Sequence, residues 1–288
     1  MKINPSAAVL GVDHAVLLGR ATEYAVRGFA GPLSMKMVRR GAAVWRTGGV
    51  ERTLTPGRIL VVNRDEPYDL EIDSADPVET FCVFFRDGFV EDVARTLSTP
   101  EAALLDRPDA GSTTVFLSSI ERRVGDLAPL LLAIERRAAR AEEGDDLLAR
   151  LAEWLVARDG ETRLRALAAP AKRPVTRDEI LRRVLRGRDR IESCWNERLP
   201  LQEIARTAGM APHHFHRSFH RIFGRTPLEY LRDLRLEEAR RLLRDTDFGL
   251  QDVCTAVGFE SLPSFMHRFR RSAGTTPGRY RAEFRKIR

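Results

Sequence analysis

Long apolar runs and cysteine are both scarce in this chain of 288 residues. No run of about 18 apolar residues occurs, so the sequence predicts neither a signal peptide nor a membrane span. The three cysteines, Cys82, Cys194 and Cys254, are far apart and lack the CxxC spacing typical of zinc ligands. A sparse, odd set of cysteines is typical of a reducing compartment, so we expect a cytoplasmic protein.

The positive charge is concentrated in the C-terminal part of the chain. From Thr176 onward there are 24 basic and 15 acidic residues, whereas the preceding part holds 24 basic and 26 acidic residues. A basic module behind a near-neutral one favours a polyanion as the partner of one half only. Composition alone leaves a second interpretation open, namely an arginine-rich surface that contacts only solvent.

Residues 20–87 consist of short apolar runs bounded by glycine, proline, asparagine and aspartate, a pattern that predicts β-strands. The runs are AAVWR, RILVV, YDLEI and TFCVFF, followed in turn by TGG, NRDEP, DSADP and RDG. Within YDLEI, Tyr68, Leu70 and Ile72 share one face of the strand. Many short strands without helices between them predict a sandwich or a small barrel.

The spacing of apolar residues changes from about Ser118. Residues 126–143 and 145–158 are predicted to be helices, and the second carries an apolar stripe that packs on the barrel or on a second copy. The next stretch has two prolines, basic residues and no periodicity, which is typical of a linker. We therefore expect a barrel over residues 1–112, helices over 113–159, a linker over 160–175 and a helical domain over 176–288.

The helical domain contains an internal repeat. The segments EIARTAGMAPHHFHRSFHRIFGRTPLEYLR from Glu203 and DVCTAVGFESLPSFMHRFRRSAGTTPGRYR from Asp252 share the same order of landmarks. Each has a short helix, a glycine turn, a second helix, a glycine and a Thr-Pro pair. A glycine turn between two helices is typical of a helix-turn-helix, and Thr-Pro places an N-cap before a first-turn proline. Two helix-turn-helix motifs are therefore predicted, at about residues 201–224 and 250–273.

The second helix of each repeat has one apolar face and one face that is predicted to be exposed. Successive residues of a helix are about 100° apart. In each of these helices the aromatic residues therefore share one side, which is predicted to be buried, and histidine and arginine residues lie on the opposite side. The predicted exposed faces are His213, His216, Arg217 and His220 in the first repeat, and Pro263, Met266, His267 and Arg270 in the second.

The histidine face has three interpretations. His216 and His220 have the i, i+4 spacing of a helical zinc pair, but no third ligand is evident and the second repeat lacks the pair. Acid–base catalysis has no indicated nucleophile or carboxylate partner. We therefore expect no metal, no cofactor and no catalytic residue here. The remaining interpretations are solvated histidines and a recognition helix that enters the major groove of DNA.

The repeated half resembles the DNA-binding domain of AraC/XylS-type transcription regulators over about Thr176–Arg288. The stretch GFESLPSFMHRFRRSAGTTPGRYR is its most specific part. The resemblance implies a seven-helix domain in which a long helix, here about Leu228–Leu243, connects the two helix-turn-helix subdomains. It also implies that both recognition helices enter successive major grooves of double-stranded DNA.

The same resemblance implies roles for individual residues. The second helix is unusually apolar at Leu262-Pro263, so its readout is expected to depend on methyl contacts and DNA shape. Arginines and helix N-termini are expected to contact phosphates. The implied base-reading residues are His213, His216, Arg217, Leu262, Pro263, Ser264, Met266 and His267, and the expected phosphate-contacting residues are Arg221, Arg225, Thr226, Arg270, Arg271 and Thr276.

The N-terminal half resembles the cupin-type barrel that these regulators carry for effector binding or dimerisation, on the segment GGVERTLTPGRILVVNRDEPYDLEI. Enzymatic cupins bind a metal through clustered histidines. Here the first 110 residues contain only His14, and Tyr68 occupies a usual ligand position, so a metal-dependent enzyme is not expected. A barrel without metal still accommodates a small molecule. Trp45, Tyr68 and Phe84 are its candidate lining residues, and core packing is their alternative role.

Together these features predict a two-domain α+β protein, with a cupin-like barrel and two helices before an all-α domain. We expect a homodimeric, nucleoid-associated transcription regulator of the cytoplasm that binds double-stranded DNA and responds to an unknown small molecule. RNA polymerase is an expected partner if it activates transcription, and a membrane is not. Two rival hypotheses remain: a DNA-repair alkyltransferase, which needs an activated cysteine, and an interaction protein whose barrel binds a partner.

Overall fold

The computed structural model describes residues 1–98, 115–122, 124–167 and 174–285. The chain divides into two compact units, Met1–Arg165 and Ala166–Arg288. The first unit combines a β-sheet with helices, and the second is helical in the part that the structure describes. This confirms the predicted two-domain α+β fold.

Eight strands form one sheet in the first unit, in the order β1-β2-β7-β3-β6-β8, with β4 paired to both β5 and β7. All neighbouring pairs are antiparallel except β1 and β2. The strands are β1 Lys2–Ile3, β2 Ala15–Phe29, β3 Ser34–Arg40, β4 Ala43–Thr47, β5 Val50–Leu54, β6 Arg58–Val62, β7 Tyr68–Phe84 and β8 Ile120–Arg122.

Strand β7 organises the sheet because it pairs with three other strands. Its first half pairs with β2 and β4, and its second half pairs with β2 and β3. The segment DSADP was predicted to be a turn, but β7 continues through it. Pro77 lies between the paired positions Asp73 and Val78, at an irregularity in the β2–β7 register. Proline is compatible with the strand there because the ladder needs no N–H donor at that point.

One face of the sheet is covered by helices. These are α1 Phe89–Ser98, α2 Val124–Ala139 and α3 Asp145–Ala166. The buried stripe of α3, which includes Leu148 and Leu151, belongs to the same apolar cluster as Met35 and Val83 of the sheet. The stripe therefore packs within its own chain, which decides between the two predicted roles. No described helix has the length and apolar character that crossing a membrane requires.

Helix α3 extends further than the sequence analysis predicts. Residues 160–166 were assigned to the linker, but they continue the helix to Ala166. The segment lacks an apolar period, and ion pairs at i, i+4 spacing support it instead, with Arg163 paired to Asp159 at 2.5 Å and Arg165 to Glu161 at 3.6 Å. The start of the predicted linker is therefore wrong, and the remaining predicted linker residues 168–173 lie outside the described ranges.

The second unit contains seven helices among residues 174–285, the number that the family resemblance implies. The long connecting helix was predicted over Leu228–Leu243 and corresponds to α7. The helices are α4 Pro174–Ser193, α5 Leu201–Thr207, α6 Pro212–Phe223, α7 Pro227–Asp245, α8 Leu250–Ala256, α9 Leu262–Ala273 and α10 Pro277–Arg285.

The sequence repeat is reproduced in the packing of this unit. Helices α6 and α9 both end at a left-handed glycine, Gly224 with φ 70° and Gly274 with φ 73°. In each motif two phenylalanines of the second helix pack with a tyrosine of the next helix, and the tyrosine ring meets the nearer phenylalanine edge-to-face. The ring-centroid distances are 5.5 and 5.6 Å for Phe215–Phe219–Tyr230, and 5.7 and 5.5 Å for Phe265–Phe269–Tyr280.

Candidate nucleic-acid interface

Helix α6 presents the polar face that the helical wheel predicts. Phe215 and Phe219 are completely buried, whereas His213, Arg217 and His220 are exposed and His216 is partly exposed. The histidines are therefore placed on the surface rather than in the core. No group of three or more histidine, cysteine or acidic residues able to bind a metal occurs in the part of the chain that the structure describes.

Helix α9 presents a narrower and more polar face than the sequence suggests. Pro263, Ser264 and His267 are exposed. Leu262 and Met266 are half-buried and pack against the apolar cluster that contains Phe265 and Phe269. They do so because residues one turn away from a buried position share its side of a helix. Leu262 and Met266 thus support the helix, and Pro263, Ser264 and His267 are the accessible side chains of this face.

The N-terminus of α9 is capped, whereas that of α6 has no side-chain cap. The Ser261 hydroxyl accepts a hydrogen bond from the backbone N–H of Ser264 at 3.4 Å. Helix α6 begins after Ala211, with Pro212 in its first turn. The unpaired amides of a helix N-terminus carry a partial positive charge, which suits the approach of a phosphate.

The six predicted phosphate-contacting residues fall into two groups. Arg221, Arg270 and Arg271 are exposed, and no ion pair or acceptor is found for their guanidinium groups among the described residues. Arg225, Thr226 and Thr276 are engaged within the protein: Arg225 pairs with Asp233 at 3.0 Å, the Thr226 hydroxyl accepts from the Glu229 N–H, and the Thr276 hydroxyl accepts from the Arg279 N–H.

Thr226 and Glu229 form a reciprocal cap at the start of α7. The Thr226 hydroxyl accepts the Glu229 N–H, and the Glu229 carboxylate accepts the Thr226 N–H at 2.8 Å. The backbone hydrogen bond from Thr226 is the main cause that holds the pKa of Glu229 below its usual value. This cap fixes the point at which the first motif passes into the connecting helix.

Arg235 of α7 joins the segment just before the first motif to the turn of the second motif. Its guanidinium donates to the carbonyls of Trp195 and Gly258, both at 2.7 Å, and of Glu197 at 2.6 Å. Trp195 and Glu197 precede α5, whereas Gly258 lies in the turn of the second motif. Burial lowers the pKa of Arg235 below its usual value. The sequence offered no signal for this role, because arginine occurs throughout this helix.

The three candidate effector residues lie in a second apolar cluster of the first unit, apart from the cluster that the helices cover. This second cluster is called the sheet interior. Trp45, Tyr68 and Phe84 are all buried and belong to one apolar cluster, together with Leu60 and Val62. The Trp45 Nε1–H and the Ser34 hydroxyl are buried and have no hydrogen-bond partner among the described residues; Ser34 lies opposite Phe84 and Val62 in the sheet. The interior therefore contains unsatisfied polar groups within apolar walls.

Lys36 lies in the same interior and is only 1% exposed. Its Nζ donates to the Tyr68 hydroxyl at 3.1 Å and lies 3.6 Å from the centre of the Phe84 ring. Burial lowers the pKa of Lys36 to about 8, and burial also raises the pKa of Tyr68. No sequence pattern predicts a buried lysine here, because a charged residue in MKMVRR is normally expected on the solvent face of a strand.

His14, Cys82 and Cys254 are buried in positions that do not favour chemistry, whereas the Sγ of buried Cys194 accepts a hydrogen bond from Arg190 Nη1 at 2.8 Å. The Nδ1 of His14 accepts the Arg86 N–H at 3.0 Å, and burial lowers the pKa of His14 to about 4. Burial raises the pKa of Cys82 and Cys254, which opposes formation of the reactive thiolate. Cys194 is also buried.

Comparison with known proteins identifies two families of domains in the chain. Residues 36–152 match the AraC-like ligand binding domain, and residues 204–283 match a helix-turn-helix domain. The chain is 33% identical over 91 residues to the bifunctional transcriptional activator/DNA repair enzyme AdaA of Bacillus subtilis, a match that covers 32% of this chain and 43% of AdaA. The chain thus spans less than half the length of that relative.

Two further relatives match over a larger share of their own length. The chain is 35% identical over 91 residues to the HTH-type transcriptional activator AarP of Providencia stuartii, covering 32% of this chain and 67% of AarP. It is 34% identical over 86 residues to the probable transcription factor PqrA of Proteus vulgaris, covering 30% of this chain and 70% of PqrA.

Proposed function

Since the chain belongs to the AraC family of transcription regulators, we propose that it binds specific DNA sequences through α6 and α9. The two helices enter successive major grooves on one side of the duplex. The observation that carries this proposal is the repeated motif, in which the same aromatic packing supports two exposed polar helix faces.

The base contacts follow from the exposure of each residue. Arginine and histidine donate to guanine in the major groove, and apolar groups contact the thymine methyl. In α9 the accessible Ser264 and His267 make the polar contacts, while Leu262 and Met266 contribute apolar edges. The proposed base-reading set is His213, His216, Arg217, Leu262, Pro263, Ser264, Met266 and His267.

Phosphate contacts position the two helices on the duplex. Arg221, Arg270 and Arg271 supply exposed positive charge. Arg225, Thr226 and Thr276 act differently in this proposal, because their side chains hold helix ends whose backbone amides face the phosphates.

A footprint on the DNA upstream of the gene, repeated at two salt concentrations, tests the proposal. We expect two protected segments about 10 base pairs apart between centres, with affinity that falls steeply as salt rises. Arg217→Ala weakens protection of the segment that α6 reads, whereas Arg140→Ala, at a 71% exposed side chain in the other unit, leaves it unchanged. Equal binding to random DNA overturns the proposal.

We further propose that a small molecule in the sheet interior controls DNA binding. The match to an AraC-like ligand binding domain supports this, as do the unsatisfied donors of Trp45 and Ser34. Lys36 has no carboxylate partner among the described residues, so a ligand with an anionic group suits the interior. In this proposal Trp45, Tyr68 and Phe84 supply its apolar walls.

Thermal unfolding with paired probes tests the effector proposal. We expect benzoate or octanoate to raise the unfolding temperature of the full chain more than benzamide or octanamide does, since binding to the folded state stabilises it. Lys36→Met removes the difference between acid and amide, while Lys2→Met, at an exposed lysine, preserves it. Equal shifts for acid and amide contradict the role of Lys36.

The functional form is proposed to be a homodimer that acts at the nucleoid and activates transcription through RNA polymerase. Two relatives named as activators support the last point. Sedimentation of the full chain at micromolar concentration is expected to give twice the mass of 32.6 kDa. Transcription from the footprinted promoter is expected to rise when the protein is added to purified polymerase.

Alkyl transfer is the second candidate function, because AdaA is named as a DNA repair enzyme as well as an activator. That match covers 43% of AdaA. The raised pKa of Cys82 and Cys254 opposes this chemistry, which needs an activated cysteine. Incubation with methylated DNA is therefore expected to leave Cys82 and Cys254 unmodified by mass spectrometry, and methylation of Cys194, which accepts a hydrogen bond from Arg190, is the result that supports alkyl transfer.

A further inference from the structure

A cleft of about 730 Å³ lies between the two helix-turn-helix motifs. Three segments line it. Residues 198–200 lie just before α5, Leu228–Arg235 belong to the start of α7, and residues 258–268 comprise the turn of the second motif and the first half of α9. The first two segments flank the first motif in the chain and the third belongs to the second motif, so the cleft separates the flanks of the first motif from the second motif.

The cleft carries a surplus of positive charge. Arg198, Arg232 and Arg268 line it, and no ion pair or hydrogen-bond acceptor is found for their guanidinium groups among the described residues. Glu260 is the one carboxylate in the lining, and its charge acts on Arg235. Three arginines in one concave site raise the local concentration of anions.

The lining of the cleft is held in place by Arg235. Its three carbonyl contacts connect the segment before α5 to the turn at Gly258. Gly258 has φ +76°, and a Cβ at this position would lie 2.6 Å from the Asn196 carbonyl oxygen. The two sides are thus in close backbone contact, so the arginines are presented from a preorganised site.

The cleft also adjoins the end of α9 that approaches DNA. In a helix-turn-helix the N-terminal residues of the recognition helix contact base edges. Ser261 and Ser264 occupy that end of α9, and both line the cleft. The cleft therefore adjoins the part of α9 that is proposed to enter its groove, on the side of α7, the helix that follows α6 in the chain.

We propose that the cleft binds phosphates of the DNA backbone between the two major grooves, with Arg198, Arg232 and Arg268 as their counter-ions. The inference rests on the proposed DNA-binding function and adds a third contact region between the two recognition helices. Backbone contacts carry no direct sequence information, so the cleft contributes affinity and register rather than base preference.

Salt titration of full-length variants tests the cleft directly. Arg198→Gln, Arg232→Gln and Arg268→Gln are each measured on the footprinted duplex and on a random duplex. We expect each variant to reduce the steepness of log K against log salt by roughly 0.9. We also expect each variant to lower the affinity for both duplexes by a similar factor. Arg140→Gln makes the same charge change in the other unit and is expected to leave the slope at the wild-type value.

Ethylation interference locates the contact on the DNA. We expect ethylation of phosphates between the two protected segments to weaken DNA binding by the wild-type protein. Binding by Arg268→Gln is expected not to be weakened further by this ethylation. Arg268→Lys, which keeps the charge, is expected to retain the wild-type slope. Arg198 and Arg268 are exposed, so their variants remain informative if the half-buried Arg232 variant folds poorly.

Two results overturn the proposal. One is a wild-type salt slope in both Arg198→Gln and Arg268→Gln, and the other is the lack of any interference at the phosphates between the two protected segments. Failure of the proposed function has a different signature, in which the wild-type chain binds both duplexes equally. In that case the slope on the random duplex still decides whether the cleft contacts phosphates.

Discussion

Lys36 illustrates how one residue can cost stability in a folded domain. This lysine has no carboxylate partner among the described residues, and its ammonium contacts the Tyr68 hydroxyl and the rings of Tyr68 and Phe84. Its pKa falls from 10.5 in the unfolded chain to about 8 in the folded one. The protonated form is therefore less favourable in the folded state, and proton binding at neutral pH opposes folding.

We expect Lys36→Met to raise the free energy of unfolding by about 3 kcal/mol at pH 7, from about 1.4 kcal/mol per pKa unit. The gain is fully present below pH 8, because both states of the wild type are then protonated. It shrinks as pH rises from about 8 toward 10.5, where the folded wild type has lost its proton.

Urea unfolding of the first unit at pH 7 and pH 10 checks this expectation, with Lys2→Met as the matched variant at an exposed lysine. A destabilised Lys36→Met at pH 7 contradicts it. Such a result means that the contacts with Tyr68 and Phe84 outweigh the desolvation of the amine.

Gly258 is a residue of the second unit whose replacement is expected to force the backbone to move. Both Gly258, with φ +76°, and Gly274, with φ +73°, have backbone conformations that favour glycine. Only at Gly258 does a Cβ also meet backbone, 2.6 Å from the Asn196 carbonyl oxygen, whereas at Gly274 nothing lies within 4 Å.

We therefore expect Gly274→Ala to cost about 1–2 kcal/mol, the usual penalty of the left-handed region. Gly258→Ala is expected to cost clearly more, because the backbone must also move. Urea unfolding of the two variants makes the comparison. Equal losses contradict the close backbone approach between the motifs.

At the scale of elements, the parts that were predicted well are those with a regular local signal. The repeat predicted both motifs because each contains a glycine turn, a glycine C-cap and a Thr-Pro start, all of which act locally. The buried face of α6 follows from its 3.6-residue period in the same way, as Phe215 and Phe219 show.

Elements that depend on partners distant in sequence were predicted less well. Strand β7 passes through DSADP because two other strands supply its pairing, which no local pattern reports. Helix α3 runs to Ala166 on ion pairs rather than on an apolar stripe. Lys36 and Arg235 were missed for the same reason, since their partners lie 32 and 23–40 residues away.

The contact between the two motifs leads to a prediction at the same scale. Arg235→Gln removes charged hydrogen bonds to carbonyls on both sides, each worth about 1.5–3 kcal/mol. We expect the variant to keep protecting the DNA segment that α6 reads and to lose protection of the DNA segment that α9 reads. The reason is that α9 is no longer held at a fixed distance from α6.

Arg240→Gln is the matched variant on the same helix, since Arg240 donates to Ser272 within the second motif only. Footprints of both variants on one duplex check the prediction. Full protection of both segments by Arg235→Gln shows that the remaining contacts between the motifs suffice.

At the scale of the whole molecule, the chain separates its chemistry between two compact units. Residues from Thr176 onward hold 24 basic and 15 acidic side chains, while the preceding residues are near neutral. Attraction to a polyanion therefore belongs to the second unit, and the unsatisfied interior around Lys36 belongs to the first. Each unit has its own apolar clusters, so each is expected to unfold cooperatively by itself.

Scanning calorimetry of the full chain tests this separation. We expect two unfolding transitions. Lys36→Met is expected to raise the temperature of one transition only, and Gly258→Ala is expected to lower the temperature of the other only. The footprinted duplex raises the transition that Gly258→Ala lowers, because DNA binds that unit in its folded state. A single transition that both variants shift means instead that the units unfold together. Coupling between effector and DNA would then act through their shared stability rather than through a change in how the second unit is presented.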